Sequence, residues 1–480
     1  MMTPGLELLA GLNTDDVNWL LDCGQEQQTI ASTKIIVEGK KPEALFFLLE
    51  GLLGVYSERL DNRLLATVGP GQVLGEISFL DDGVATATIK SIENSLVLAV
   101  PFRKIHEKSE ADPGFATRLF RSFARVVAQR LRRQAQWLGQ TQPESQPGEL
   151  SLNDEIHEAL ESFKGLMQHV DQAALKADGV VPAQLREQVK TSFRGFSQML
   201  STRLSPENGL PDEVLSDIAR RLQQEMLPYL LLTHTAERFY AKPRGYAGDF
   251  YSIEQIYNRE ALGTSRIGNL LDECFLDEPA AVAVRNRRAL LADEIQKTLR
   301  EKNRPIRIMS LASGPAREIF DVFESIEDPT KIQATLIDID LQALAFVEDQ
   351  LKNKPYRRQI ELVNGNLVYL ATGRQKLDVL PQDLIYSIGL IDYFNDTWVK
   401  TLLNFIYQRL APAGKTILGN FHPGNGTRGL MDFVLDWRLI HRDENQMNEL
   451  FRASDFQAPC SEIRFEAEGI NLFAMGVRPA

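Results

Sequence analysis

Ile306-Arg307-Ile308-Met309-Ser310-Leu311-Ala312-Ser313-Gly314-Pro315-Ala316-Arg317-Glu318 is the stretch that decides the fold. Six strand-type residues run into a turn of small residues and then into a helix-type segment, the order of a buried strand feeding a helix. Working outward, a second strand at 333–337 ends in Asp338-Ile339-Asp340-Leu341-Gln342-Ala343-Leu344. A third at 360–363 leads to Asn364-Gly365-Asn366-Leu367, and a fourth at 383–387 to Ser387-Ile388-Gly389-Leu390-Ile391-Asp392-Tyr393-Phe394. Leu410-Ala411-Pro412-Ala413-Gly414-Lys415 precedes a fifth strand at 416–420, and 462–468 with 470–477 read as a closing hairpin. Strands alternating with helices predict a parallel sheet covered on both faces.

The first turn lacks the Gly-x-Gly-x-x-Gly that makes room for a dinucleotide pyrophosphate. One glycine suffices for S-adenosylmethionine, which has no phosphate and needs room for a methionine tail and N–H groups for its carboxylate. A carboxylate at the second strand tip can accept both ribose hydroxyls, and Asp338 fits that role better than Asp340. Asn366 is placed to meet an adenine amino group. Ser313, Gly314, Asp338, Asn366, Leu367, Ser387 and Ile388 are therefore the candidate cofactor-binding residues. The whole order resembles class I S-adenosylmethionine-dependent methyltransferases, which implies an α/β doubly wound methyltransferase sheet over 280–480.

Two other segments are dense in aromatic, cationic and hydrogen-bonding groups. One is Arg238-Phe239-Tyr240-Ala241-Lys242-Pro243-Arg244-Gly245-Tyr246-Ala247-Gly248-Asp249-Phe250. The other is Gly419-Asn420-Phe421-His422-Pro423-Gly424-Asn425-Gly426-Thr427-Arg428, which leaves the carboxyl end of the fifth strand. Together they resemble bacterial 3-hydroxy-fatty-acid methyl ester synthases, and the resemblance implies O-methylation of the carboxylate of a small acyl or fatty-acid-like molecule. An ionised carboxylate needs no base, only donors that hold one oxygen on the methyl axis. Arg244, Tyr246 and Arg428 are the substrate-binding candidates, and Tyr246, His422 and Asp392 the catalytic ones; 242–250 is expected to be a lid. If the acceptor is an alcohol, an amine or a protein group, His422 or Asp392 is the candidate base. A non-catalytic S-adenosylmethionine or nucleotide sensor is the remaining alternative.

Upstream, 29–105 is rich in short β-type runs broken by glycine, which predicts a small β jelly roll. Gly39, Glu50-Gly51 and Gly71 before Gly75-Glu76-Ile77-Ser78 make it similar to cyclic-nucleotide-binding domains of the catabolite-activator type. That resemblance implies a ligand pocket at Gly75 and Glu76, with a nucleotide as candidate effector. Its phosphate-binding arginine should precede Thr86-Ala87-Thr88-Ile89, where Ala85 stands instead. Residues 114–138 form an arginine-rich amphipathic helix, read as a homodimer contact. The expected domains are thus 1–138, a linker at 139–150, a helical region with the lid at 151–279, and the sheet domain at 280–480.

A 480-residue chain at 44% hydrophobic and 25% charged residues accommodates several soluble domains. A net charge of −12 argues against nucleic acid as the main partner. No apolar run is long enough to span a bilayer, and the first residues lack a signal-peptide layout. Cys23, Cys274 and Cys460 are widely spaced and, with the histidines, show no metal-ligand spacing. Free thiols, a cytoplasmic location and no metal are the expectations.

Overall fold

The computed structural model describes residues 12–57, 62–138 and 149–480. In the N-terminal domain, β1 (Gln25–Thr29), β2 (Lys34–Ile36), β3 (Ala44–Glu50), β4 (Leu53–Ser57), β5 (Arg63–Val68), β6 (Val73–Leu74), β7 (Thr88–Ser91) and β8 (Ser95–Pro101) follow one another. They form two four-stranded antiparallel sheets, ordered β1-β8-β3-β6 and β2-β7-β4-β5. Apolar residues from both sheets, among them Leu48, Leu53, Ile89 and Val97, pack between them, which is the jelly roll expected from the glycine-punctuated runs.

The helix Pro113–Leu138 follows. Its first turns are consumed inside the chain: Phe115, Leu119 and Phe123 are all 0% exposed. Leu119 therefore faces the protein's own core and is not offered to a second copy. The side chains of Val126 and Leu131, which continue the apolar stripe, lie outside the described residues, as does the stretch 139–148 expected to be a linker.

Seven helices span 149–302, from Glu149–Lys176 to Pro279–Lys302, as the helical texture predicts. β9 (Ile306–Leu311), β10 (Ile332–Asp338), β11 (Ile360–Asn364), β12 (Gln382–Ile388), β13 (Leu410–Phe421), β14 (Glu462–Phe465) and β15 (Asn471–Val477) build one sheet, ordered β11-β10-β9-β12-β13-β15-β14. The first five are parallel; β15 runs antiparallel to β13 and to β14. β10 and β12 are buried almost end to end, as strands covered on both faces must be. The helices Pro279–Lys302 and Arg317–Ser325 contribute to the core on one face. On the other, Trp398, Leu402 and Met447 share one apolar cluster with Val17, Leu20, Phe47 and Leu98 of the N-terminal domain. The two domains are joined through a common core.

Candidate catalytic site

Strand order reverses between β9 and β12, and a cavity of about 260 Å³ lies at the carboxyl ends of these strands. The turn after β9 shapes one wall. Ala312, Gly314 and Ala316 all have positive φ, at 55°, 52° and 50°. For the two alanines that conformation costs about 1–3 kcal/mol each, strain of the kind that collects where a ligand meets the backbone. The Ser313 hydroxyl is buried with no hydrogen-bond partner. A Cβ added to Gly314 would meet nothing within 4 Å, so its backbone faces open space.

Asp338, the last residue of β10, lines the same wall. Its carboxylate accepts from the Gly314 N–H at 2.8 Å and the Asp340 N–H at 2.9 Å, tying the strand tip to the glycine turn. Burial raises its pKa to about 6 against those two N–H bonds. Asn366, Leu367 and Ile388 also line the cavity. The Asn366 amide oxygen, however, accepts from Val368 N–H at 3.0 Å and Tyr369 N–H at 3.3 Å, capping the helix Leu367–Ala371. Its NH2 is what remains for a ligand, which suits a purine ring nitrogen instead of the expected amino group. Ser387 does not line the cavity: its hydroxyl, fully buried, donates to Leu311 O at 2.9 Å and locks β12 to β9.

The 238–250 segment separates into anchors and lining. Lys242 Nζ donates to the Asp436 carbonyl and carboxylate, Asp249 caps the helix Phe250–Asn258 and pairs with Arg238, and Arg244 turns away from the cavity. The Arg244 guanidinium makes a two-pronged contact with Asp340 at 2.6 and 2.8 Å and reaches Gln342 and Glu93. Its guanidinium is engaged by these three partners and stands outside the cavity lining, unlike the substrate-facing position expected from the sequence. Gly245, Tyr246 and Gly248 do line the cavity. Burial and the nearby Asp338 and Asp340 hold the Tyr246 hydroxyl well above its ordinary pKa, so it is a proton-bearing donor.

The loop after β13 departs further from expectation. His422 Nδ1 accepts from Gly424 N–H, its Nε2 lies 3.3 Å from Glu444, and it does not line the cavity. Arg428 pairs with Asp432 on its own helical turn, also away from the cavity. Asp392 does line it; its carboxylate accepts from Phe421 N–H at 2.7 Å, and burial pushes its pKa up to about 6.

Two lining residues were not singled out in the sequence. Arg287 is the only cation among the described lining residues and is 5% exposed. It bonds Tyr257 and has the turn at Gly389 beside it. Two carboxyl groups that feel its charge, Glu318 and Asp392, are both pushed toward neutrality by burial. A signal existed: Ala280, Ala283, Val284, Arg287 and Leu291 share one helix face, so periodicity alone points Arg287 inward. The other is Tyr393. Its hydroxyl oxygen accepts from Trp437 Nε1 at 3.0 Å and from the Gly248 N–H. With two donors already on the oxygen, its own proton is left to donate. In the N-terminal domain, Gly75 has φ 85° and opens the helix Glu76–Asp81, with Glu76 buried. Ala85 packs among Ile36, Leu48 and Ile89, so that position supplies no cation.

A doubly wound sheet thus carries, at its switch point, a cavity with a strand-tip carboxylate, and a jelly-roll domain lies against it. Comparison with known proteins agrees with both halves. The family model "Cyclic nucleotide-binding domain" matches residues 30–112, and "Putative methyltransferase" matches 245–463. The first match falls on the jelly-roll domain, and the second covers most of the sheet domain and the helices just before it. The cyclic AMP receptor protein of Thermus thermophilus is 30% identical over 98 residues, 20% of this chain and 45% of that protein. Glutaminase 2 of Bradyrhizobium diazoefficiens is 28% identical over 129 residues, 26% of this chain and 19% of its own length. The chain thus spans less than half the length of either curated relative. Among solved structures, one from Bordetella parapertussis described as a possible exported protein is similar at TM-score 0.44 and 20% identity, over 57% of this chain and 99% of that one. Magnesium protoporphyrin IX methyltransferase from Synechocystis, solved with bound SAM, is similar at TM-score 0.31 and 10% identity, over 41% and 83%. Among the described residues no helix is long and apolar enough to cross a membrane.

Proposed function

We propose that this chain is an S-adenosylmethionine-dependent methyltransferase that O-methylates the carboxylate of a small, fatty-acid-like molecule, with the N-terminal domain as its regulatory part. The observation that carries this is the cradle made by the unpartnered Ser313 hydroxyl, the open Gly314 backbone and Asp338 at the β10 tip. Asp338 accepts the ribose hydroxyls, Asn366 donates to the purine ring, and Arg287 holds the methionine carboxylate. When bound, the cofactor supplies an electrophilic methyl group on a sulfonium.

The remaining work falls to this chain's own side chains. The Tyr246 and Tyr393 hydroxyls hold one oxygen of the acceptor carboxylate. Neutral donors fix its direction while withdrawing less electron density than a guanidinium pair would. A carboxylate oxygen forms the new O–C bond as the S–C bond breaks, and no proton has to move. Positioning and exclusion of water then supply the acceleration. A second reading, transfer to an alcohol or amine, draws on Asp392, whose raised pKa suits it to take a proton.

The test is release of S-adenosylhomocysteine by the purified full chain offered saturated monocarboxylates, matched alcohols and amines, and peptides. Turnover with the monocarboxylates alone supports the first reading, and turnover with alcohols or amines the second. No release with any acceptor refutes both.

A further inference from the structure

The catalytic cavity is not made by the methyltransferase domain alone. Val17 and Leu20 from the helix Thr14–Cys23, Phe47 and Leu49 from β3, and Leu98 from β8 line it together with the strand tips. All five are apolar and at most 9% exposed. A rim of polar contacts seals this wall in place. Glu93 accepts from Arg244 and Gln342, and Asp22 accepts from Arg374 at 2.7 Å. At the closest approach two glycines meet backbone to backbone: a Cβ on Gly69 would lie 2.3 Å from the Arg244 carbonyl, and one on Gly245 2.7 Å from Gly69 Cα. The rim arginine is the same Arg244 that grips Asp340, two residues beyond the strand-tip carboxylate.

The needs of a nucleoside are met elsewhere in the cavity. Asp338 and Asn366 serve its polar edges, and Ile339, Leu367 and Leu390 at three strand tips supply apolar faces for a purine. What is left for five aliphatic and aromatic side chains is an apolar ligand portion continuous with the methyl-transfer point. We infer that the hydrocarbon chain of the acceptor lies against the N-terminal domain, so that this domain forms part of the acceptor site and sets which chain lengths fit. This inference rests on the proposed carboxylate acceptor and adds the surface that selects it.

The experiment is calorimetric titration of the full-length protein, saturated with S-adenosylhomocysteine, with dodecanoate. Leu98→Phe narrows the wall directly. Gly69→Val replaces no lining residue but presses on the Arg244 carbonyl and on Gly245, and so wedges the two domains apart. Both are expected to weaken dodecanoate binding about tenfold or more, with S-adenosylhomocysteine affinity held within about twofold. Thermal melts of both variants monitor the fold, and Gly69→Ser, a smaller wedge, stands in for any variant that fails to fold. Dodecanoate affinity unchanged in folded variants overturns the inference, as does wild-type protein that binds no dodecanoate. A loss confined to S-adenosylhomocysteine affinity overturns it too, because the wall would then belong to the cofactor. Dodecanoate bound and weakened as expected, but never esterified, refutes the proposed reaction while leaving the wall in place.

Discussion

Protonation of Asp338 should switch cofactor binding off. Its carboxylate already accepts two N–H bonds and, in the proposed role, accepts the ribose hydroxyls as well. A neutral carboxyl has one oxygen carrying a proton and cannot satisfy all of these. Burial lifts its pKa from the ordinary 3.8 to about 6. At about pH 5 only about a tenth of the free protein is then ionised, so the apparent Kd should rise about tenfold over its value near pH 7.5, or about 1.4 kcal/mol. The sign follows from linkage: with the folded pKa raised, the proton stabilises the free fold below 3.8, and that contribution is lost as pH rises through about 6. Ligand binding takes the opposite side and wants the proton gone. Calorimetry with S-adenosylhomocysteine across this range measures the slope. Asp338→Asn should bind about 1–3 kcal/mol more weakly and lose the pH dependence. A wild-type Kd that moves less than about twofold over that range would refute the assignment, and an equal slope in the variant would refute it and point to Asp392 or Glu318 as the titrating group.

Tyr393→Phe and Tyr246→Phe should each lower kcat about tenfold or more, about 1.4 kcal/mol, with cofactor affinity nearly unchanged. His422→Ala, outside the cavity, should retain turnover within about twofold in the same assay, and a large loss would return that loop to the chemistry. Titration of the full chain with cyclic AMP should show no dissociation constant below about 1 mM, near −4 kcal/mol, because the Ala85 position is packed with apolar groups. A micromolar value would mean another cation meets the phosphate. Burial pushes Glu278 to about 7 despite the Ser197 hydroxyl donating to it at 2.5 Å. Its stabilising, protonated state is lost as pH rises through about 7, so the melting temperature of Glu278→Gln should gain on wild type between about pH 5 and pH 8.

Much of this molecule is local in sequence and therefore legible from it. A parallel strand buried on both faces is a short apolar run, and the residue at its carboxyl end must sit at the sheet edge wherever the chain goes next. That is why β9, β10 and β12, and with them Gly314, Asp338 and Ile388, could be placed on one rim by counting along the chain. Glycine-broken β runs announced the jelly roll for the same reason.

Partner choice among charged and hydrogen-bonding side chains is not local. Arg244 looked like a substrate donor because its segment is rich in donors, yet its partners Asp340 and Glu93 lie 96 and 151 residues away in the chain. Tyr393 became a donor only because Trp437 and Gly248 fold onto its oxygen. Arg287 was half visible in the apolar face of its helix, but that this face meets the Gly389 turn at a cavity is a fact of packing. The sequence alone determined which side chains stand at the strand tips, since backbone periodicity dictates them. Which polar groups remain for a ligand, and that the jelly roll walls the cavity, was decided by the tertiary structure, because a hydrogen bond or an apolar contact goes to whichever group the fold brings within reach.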